Sequence, residues 1–199
     1  MNLIENHIYH VYNRGNNRQP IFFSDDNFKY FVRKMRTHLL PVCDLLAYCL
    51  MPNHFHLLVK ANRKSIEVIS PKSGPVSIQA FSRGIQIMLS SYTRAIHKQE
   101  KLTGSLFQQR TCAKQVSSEF YFEDYSLTCF CYILNNPVAA GLVNDPSEWL
   151  YSSYYELAHS VNDPLCNPAN IYRDLSIKWE NDAGMINTPI SDTEILQLF

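Results

Sequence analysis

The chain of 199 residues is 46% hydrophobic and carries 18 Lys and Arg against 18 Asp and Glu. That is enough apolar matter for one domain with an extension, or two very small domains, and it excludes a wholly disordered chain. The neutral total hides a segregation, because residues 1–118 hold 16 of the basic residues and only 6 of the acidic ones.

Such a split suggests either a basic surface for a polyanion such as nucleic acid, or an internal match between a basic and an acidic face. Apolar runs such as Leu45 to Met51 are too short to cross a bilayer. The opening Met1-Asn2-Leu3-Ile4-Glu5-Asn6 has no basic region followed by an apolar one, so no secretory signal is expected. The six cysteines show no Cys-x-x-Cys spacing. Neither a zinc ribbon nor a disulfide scaffold is expected, and reduced thiols in the cytoplasm are.

Ile8 to Tyr12 is β-branched and aromatic and reads as a strand, followed by turn residues Asn13 to Asn17. Ser24 can cap a helix whose buried face is Phe28, Phe31, Val32, Met35 and Leu39, stopped by Pro41. Cys43 to Leu50 and His54 to Lys60 are strands, and the short link between them implies an antiparallel hairpin. Residues 61–76 are expected as a loop. Ile78, Phe81, Ile85, Leu89, Tyr92 and Ile96 then follow helical spacing, with Arg83, Gln86, Arg94 and Lys98 opposite. A fourth strand is expected over Leu106 to Lys114. A helix is expected from about Ser118 to Asn135 or Asn136, ended by Pro137. The order β-α-β-β-α-β-α gives an α+β fold, a ferredoxin-like core with an antiparallel sheet, helices mainly on one face, and a further C-terminal helix.

Pro52-Asn53-His54-Phe55-His56 is the segment richest in chemistry. Alternation along a strand puts His54 and His56 on one face and Phe55, Leu57 and Val59 on the other. Two imidazoles so placed can grip one divalent cation, although two histidines on a hydrated sheet face would look the same. In Tyr132-Ile133-Leu134-Asn135-Asn136-Pro137, Tyr132 and Asn136 are one helical turn apart. Tyr132 can be a nucleophile and Asn136 an oxygen ligand. Equally, Tyr132 can be a core aromatic and Asn136 a residue bonding local backbone.

Five marks stand in order along the chain: Tyr9 to Gly15, Tyr48 to Leu58 with its His-Phe-His, Gly104 to Arg110, Tyr132 to Gly141, and Trp149 to Tyr154. Together they resemble the single-tyrosine HUH transposases, most closely the REP-associated tyrosine transposases and their insertion-sequence relatives. The resemblance covers roughly residues 7–155 and implies a catalytic domain over 1–155, with 156–199 an acidic extension. It implies cutting and rejoining of single-stranded or hairpin DNA. Tyr132 would be the nucleophile, His54, His56 and Asn136 the ligands of Mg²⁺ or Mn²⁺, and Arg14 and Arg110 phosphate contacts. Arg83 and Arg94, on the basic helix face, are further DNA-binding candidates. Where many relatives have arginine after Asn-Pro-Val, this chain has Ala139.

The chemistry suits those groups. A cation on a non-bridging oxygen withdraws charge from the phosphate, and a phenol near pKa 10 needs activation to attack it. A covalent phosphotyrosine conserves the bond energy, in keeping with a chain that has no phosphate-binding Gly-x-x-x-x-Gly-Lys loop. The alternatives are a domesticated binder of hairpin nucleic acid that does not cut, and a water-using phosphodiesterase in which Tyr132 is idle. No membrane partner is expected, and a monomer or homodimer fits equally. His10 is expected as a buried, hydrogen-bonded histidine, or as a support to the metal. Among the aromatics Tyr9, Tyr12, Phe22, Phe23, Tyr30 and Phe31, two or three at most would be free to stack bases. Ile171, Tyr172, Leu175, Ile177 and Trp179 should anchor part of the acidic tail on the domain. The tail then either competes with DNA at the basic groove or only stabilises the fold from elsewhere.

Overall fold

The computed structural model describes residues 1–70, 77–118, 124–178 and 190–199. In chain order the strands and helices are β1 (Ile8–Arg14), α1 (Asp25–His38), β2 (Asp44–Met51), β3 (His54–Lys60), α2 (Arg63–Ile66), β4 (Val68–Ile69), β5 (Ile78–Gln79), α3 (Ala80–Glu100), β6 (Cys112–Gln115), α4 (Ser126–Ala139), α5 (Ser153–Ala158), α6 (Pro168–Leu175) and α7 (Asp192–Leu196). The main sheet runs β2-β3-β1-β6 with every neighbouring pair antiparallel, which is the ferredoxin-like order.

One face of this sheet is closed by aromatic packing. Phe55 of β3 meets Phe31 of α1 and Phe107, and Phe31 stands edge-on to Tyr92 of α3 with ring centroids 4.9 Å apart. The Tyr92 hydroxyl donates to the Ile21 carbonyl, so the one polar atom of that ring is satisfied in the core. Helices α1 and α3 approach closely at Gly84, where any Cβ would collide with the His38 carbonyl. The expected helical face of α1 is the buried one, with Phe28, Phe31, Met35 and Leu39 in the core. Ser24 does stand before α1, yet its side chain makes no capping bond; Asn27 Oδ1 accepts from the Phe23 N–H instead.

The opposite sheet face is covered by α4, so helices occupy both faces rather than mainly one. Three expected boundaries also change. The strand read over Leu106 to Lys114 is confined to Cys112–Gln115; before it, Phe107 meets Gly15 only in an isolated antiparallel bridge, with Gln108 N–H donating to the Arg14 carbonyl and Asn16 N–H to that of Leu106. The expected loop after β3 holds the single turn α2 and the two-residue strand β4, which pairs with β5; residues 71–76 of that expectation lie outside the described residues. Helix α4 starts at Ser126 and runs through Pro137 to Ala139. A proline this near the end removes one N–H, and the chain closes beyond it with Ala140 N–H on Asn136 and Leu142 N–H on Pro137. The expected start near Ser118 includes residues 119–123, which lie outside the described residues.

The tail packs onto this domain. Leu165, Cys166, Ile171, Ile177 and Leu198 join the buried core, while Tyr172 is half exposed and Trp179 lies outside the described residues. Arg173 of α6 reaches Asp44 at 2.9 Å, and Asp174 receives Lys60 Nζ at 2.6 Å, fastening α6 to the β2–β3 edge. None of the six cysteines forms a disulfide.

Candidate active site and nucleic-acid interface

The site grows from the alternation of β3. Register places Met51 and Arg14 beside His54, and Cys49 and Tyr12 beside His56. The Pro52-Asn53 turn that delivers His54 is stitched down: Pro52 carbonyl accepts from Ile21 and Phe22, and Asn53 carbonyl from Gly15. Gly15 is required there, since any Cβ would strike the Gln19 carbonyl. Helix α4, lying over this face, brings Tyr132 and Asn136 to the two histidines. Continuing through Pro137 keeps Asn136 helical and one turn from Tyr132.

The groups meet closely. His54 Nε2 lies 3.3 Å from Asn136 Oδ1, and the His54 and His56 rings are 4.9 Å apart and nearly perpendicular. The Tyr132 ring stands edge-on to His56 at 5.5 Å. All four line or flank a cavity of roughly 540 Å³ that Tyr12, Asn13, Arg14, Arg18, Asn53, Gln108, Arg110, Cys112 and Phe199 complete. This face is not open, as a bare His-x-His pattern would allow: His56 is only 4% exposed beneath α4. Tyr125, just before Ser126 at the far end of α4, does not line the cavity.

Burial sets the protonation states. Desolvation holds both His54 and His56 below the ordinary histidine range, and His10 is pushed down to about 4. Neutral imidazoles are the forms that can donate a lone pair to a cation. The Tyr132 phenol is raised by burial, against which a hydrogen bond from Asn136 acts.

The hydrogen bonds of His54 fix the position of its ring proton. Asn53 Oδ1 lies 2.6 Å from Nδ1, while the Asn53 amide nitrogen is committed to the Arg18 carbonyl. A neutral His54 therefore carries its proton on Nδ1. Its Nε2 lone pair then faces Asn136 Oδ1, also an acceptor. Two lone pairs turned toward each other fit a shared cation. Among the described residues no three His, Cys, Asp or Glu cluster as a metal site, so a cation here depends on the amide oxygen beside the imidazoles. Imidazole and amide oxygen together suit Mn²⁺ or Mg²⁺, with imidazole favouring Mn²⁺.

The charge split has a spatial counterpart. Lys60 and Arg36 pair with Asp174 and Asp163 of the acidic half. Arg14, Arg18, Arg83, Arg94 and Arg110 make no ion pair among the described residues and are exposed. Arg14 and Arg110 lie at the histidine cavity. Arg83 and Arg94 do not; they line an adjoining groove of roughly 1140 Å³ along α3 and residues 104–111, which Arg110 shares.

No family model and no curated protein matches the chain. Among solved structures the chain is similar to that of the REP-associated tyrosine transposase bound to a REP hairpin. It matches with a TM-score of 0.54 and 16% identity, covering 86% of this chain and 90% of that one. The chain shares that transposase's fold. No described helix is long and apolar enough to cross a membrane.

Several site residues carry no signal in the sequence. Asn53 sits inside the recognisable motif, but its role in fixing His54 depends on the Arg18 carbonyl from another turn. Phe199 is the clearest omission. Its ring lies 5.0 to 6.1 Å from those of Tyr12, His10, Tyr132 and His56, so the tail reaches the cavity itself. Of the aromatics considered for stacking, Tyr9, Phe22 and Phe31 are buried, and Tyr12 alone lines this cavity.

Proposed function

We propose that this protein is a transposase-like enzyme of single-stranded or hairpin DNA that cuts and rejoins strands through Tyr132. The observation that carries the reading is the convergence of His54, His56 and Tyr132, with Asn136 at 3.3 Å from His54 and the two segments some eighty residues apart, on one cavity whose arginines make no ion pair among the described residues. The shared fold with a tyrosine transposase bound to a hairpin supports it.

In this mechanism Arg14, Arg18 and Arg110 draw the strand in and hold its phosphates. His54, His56 and Asn136 would hold Mn²⁺ or Mg²⁺, which withdraws charge from the scissile phosphate when bound. Tyr132 Oη forms the bond to phosphorus as the P–O3′ bond breaks. The phenolic proton passes to solvent, and the leaving O3′ takes up a proton to become a hydroxyl. The Asn136 hydrogen bond stabilises the phenolate in a site where burial opposes it. Rejoining is the reverse attack by a 3′-hydroxyl.

The test is a denaturing gel with labelled single-stranded DNA and Mn²⁺. The parent should form a covalent adduct, and Tyr132→Phe should bind DNA yet form none. An adduct that persists in Tyr132→Phe would move the nucleophile elsewhere.

A second reading, a binder of hairpin nucleic acid that does not cut, is favoured by one observation: the Phe199 ring occupies the side of the cavity next to Tyr132 and His56. It predicts hairpin binding with no adduct from parent or variant.

A further inference from the structure

The unassigned histidine beside the site is His10. It is fully buried on β1, and both of its ring nitrogens are engaged. Nδ1 lies 2.9 Å from the carbonyl oxygen of Leu198, a residue 188 positions away. Nε2 lies 2.8 Å from Nδ1 of His56. The two ring planes are within 25° of parallel with centroids 5.0 Å apart, and the 2.8 Å nitrogen–nitrogen separation spans most of that distance, which suits an N–H···N bond.

The order of donors and acceptors follows from the fixed end. A carbonyl only accepts, so a neutral His10 must place its proton on Nδ1, leaving Nε2 as an acceptor. Among the described residues the donor to that acceptor is His56 Nδ1–H. A neutral His56 has one ring proton, so its Nε2 is left as a bare lone pair. That nitrogen makes no hydrogen bond among the described residues, and His56 lines the cavity.

We propose that His10 is a positioning residue: through a relay from the Leu198 carbonyl to His10 to His56, it holds His56 in the tautomer whose Nε2 can ligate a cation. The last residues of the chain thus complete the site they adjoin. The ligand role of His56 rests on the proposed function, whereas the relay itself is a property of the protein alone. His54 receives the same service from a different acceptor, since Asn53 Oδ1 takes its Nδ1–H. Both histidines therefore present Nε2, each fixed by a partner at Nδ1.

The experiment reads the tautomer directly. Long-range proton–nitrogen NMR spectra of metal-free parent protein near neutral pH should show His10 and His56 both as Nδ1–H. Mn²⁺ affinity is measured alongside by calorimetry. His10→Phe fills the space but ends the relay. The His56 proton should then redistribute to Nε2, and Mn²⁺ should bind about 10- to 100-fold more weakly. His10→Gln, which offers both a donor and an acceptor, should restore most of that affinity, a rescue that packing alone does not predict. A His56 found as Nε2–H in the parent would overturn the relay, even if His10→Phe fails to fold. So would a folded His10→Phe with the parent's affinity. A parent that shows both Nδ1–H tautomers but binds no Mn²⁺ and forms no DNA adduct would support the relay while refuting the proposed function.

Discussion

The two faces of the central sheet are built from alternate residues of the same strand, and they do opposite things. Phe55 and Leu57 point into an aromatic layer beneath α1 and α3, where the Tyr92 hydroxyl is satisfied by the Ile21 carbonyl. His54 and His56, one residue to either side, point under α4 into a cavity of imidazoles, amides and a phenol. The first face holds the strand still, and the second depends on its being held. The period of two that makes a sheet amphipathic here separates stability from chemistry at a spacing of one residue.

The sharpest way to break that comparison is to substitute neighbours. Phe55→Ala should cost about 3–5 kcal/mol by leaving a cavity in the aromatic layer, and it should lose the site through unfolding. His54→Ala, at the partly exposed end of the strand, should change stability little while abolishing Mn²⁺ binding and DNA adduct formation. Urea unfolding and calorimetry on the two variants check this. Equal losses of stability would mean that the faces are not separate.

Acid should attack the two faces unequally. His10 is pushed down to about 4 in the folded protein, against about 6.5 in the unfolded chain. The unfolded chain therefore takes up protons first as pH falls. The stability tied to a neutral His10 is fully present above about pH 6.5 and is lost progressively toward pH 4, on the order of 3 kcal/mol in all. His56, also depressed by burial, acts in the same direction. Denaturation midpoints between pH 7.5 and 4.5 should fall for the parent and fall less for His10→Gln. A flat profile in the parent would show that the site face is hydrated enough to accept charge.

The basic surface divides in the same manner. Arg14 and Arg110 sit at the cavity, whereas Arg83 and Arg94 lie along the adjoining groove. Each Arg→Ala change in the groove should weaken binding of a hairpin with a single-stranded flank and reduce the salt slope by about one. Fluorescence anisotropy across salt concentrations measures both. If Arg83→Ala and Arg94→Ala leave the slope unchanged, the strand does not follow the groove.

The core β-α-β-β-α-β order was legible because apolar residues keep their period of two or 3.6 through every long element. The reading failed where local pattern and tertiary bonding disagree. Leu106 and Phe107 are apolar and read as the strand's start, but Phe107 meets Gly15 only in an isolated antiparallel bridge, apart from the β1–β6 ladder that begins at Cys112. Pro137 marked a helix end three or four residues too early, at Asn135 or Asn136 rather than Ala139, since a proline in the last turn forfeits only one bond. The four residues from which the site is argued were visible as two short motifs. The bonds that orient them were not, because the Leu198 carbonyl and the Arg18 carbonyl come from backbone that bears no motif.

The smallest effect concerns Phe199, where the tail touches the site face. Its ring is 44% exposed and makes only edge-on contacts with four other rings. Removing it in Phe199→Ala leaves the Leu198 carbonyl, and so the His10 bond, in place. The loss of a half-buried ring should cost folding about 1 kcal/mol, well short of the Phe55 value. An unpaired base entering the cavity must displace this ring to stack on Tyr12. If that displacement costs about 1 kcal/mol, Phe199→Ala should bind single-stranded DNA about fivefold more tightly, with hairpin duplex affinity unchanged. Anisotropy with a short single strand and with a blunt hairpin distinguishes the outcomes. Tighter single-strand binding makes the tail a competitor for the cavity. Weaker binding would instead make Phe199 one of the surfaces on which the base rests, joining the tail to the site face as working surface.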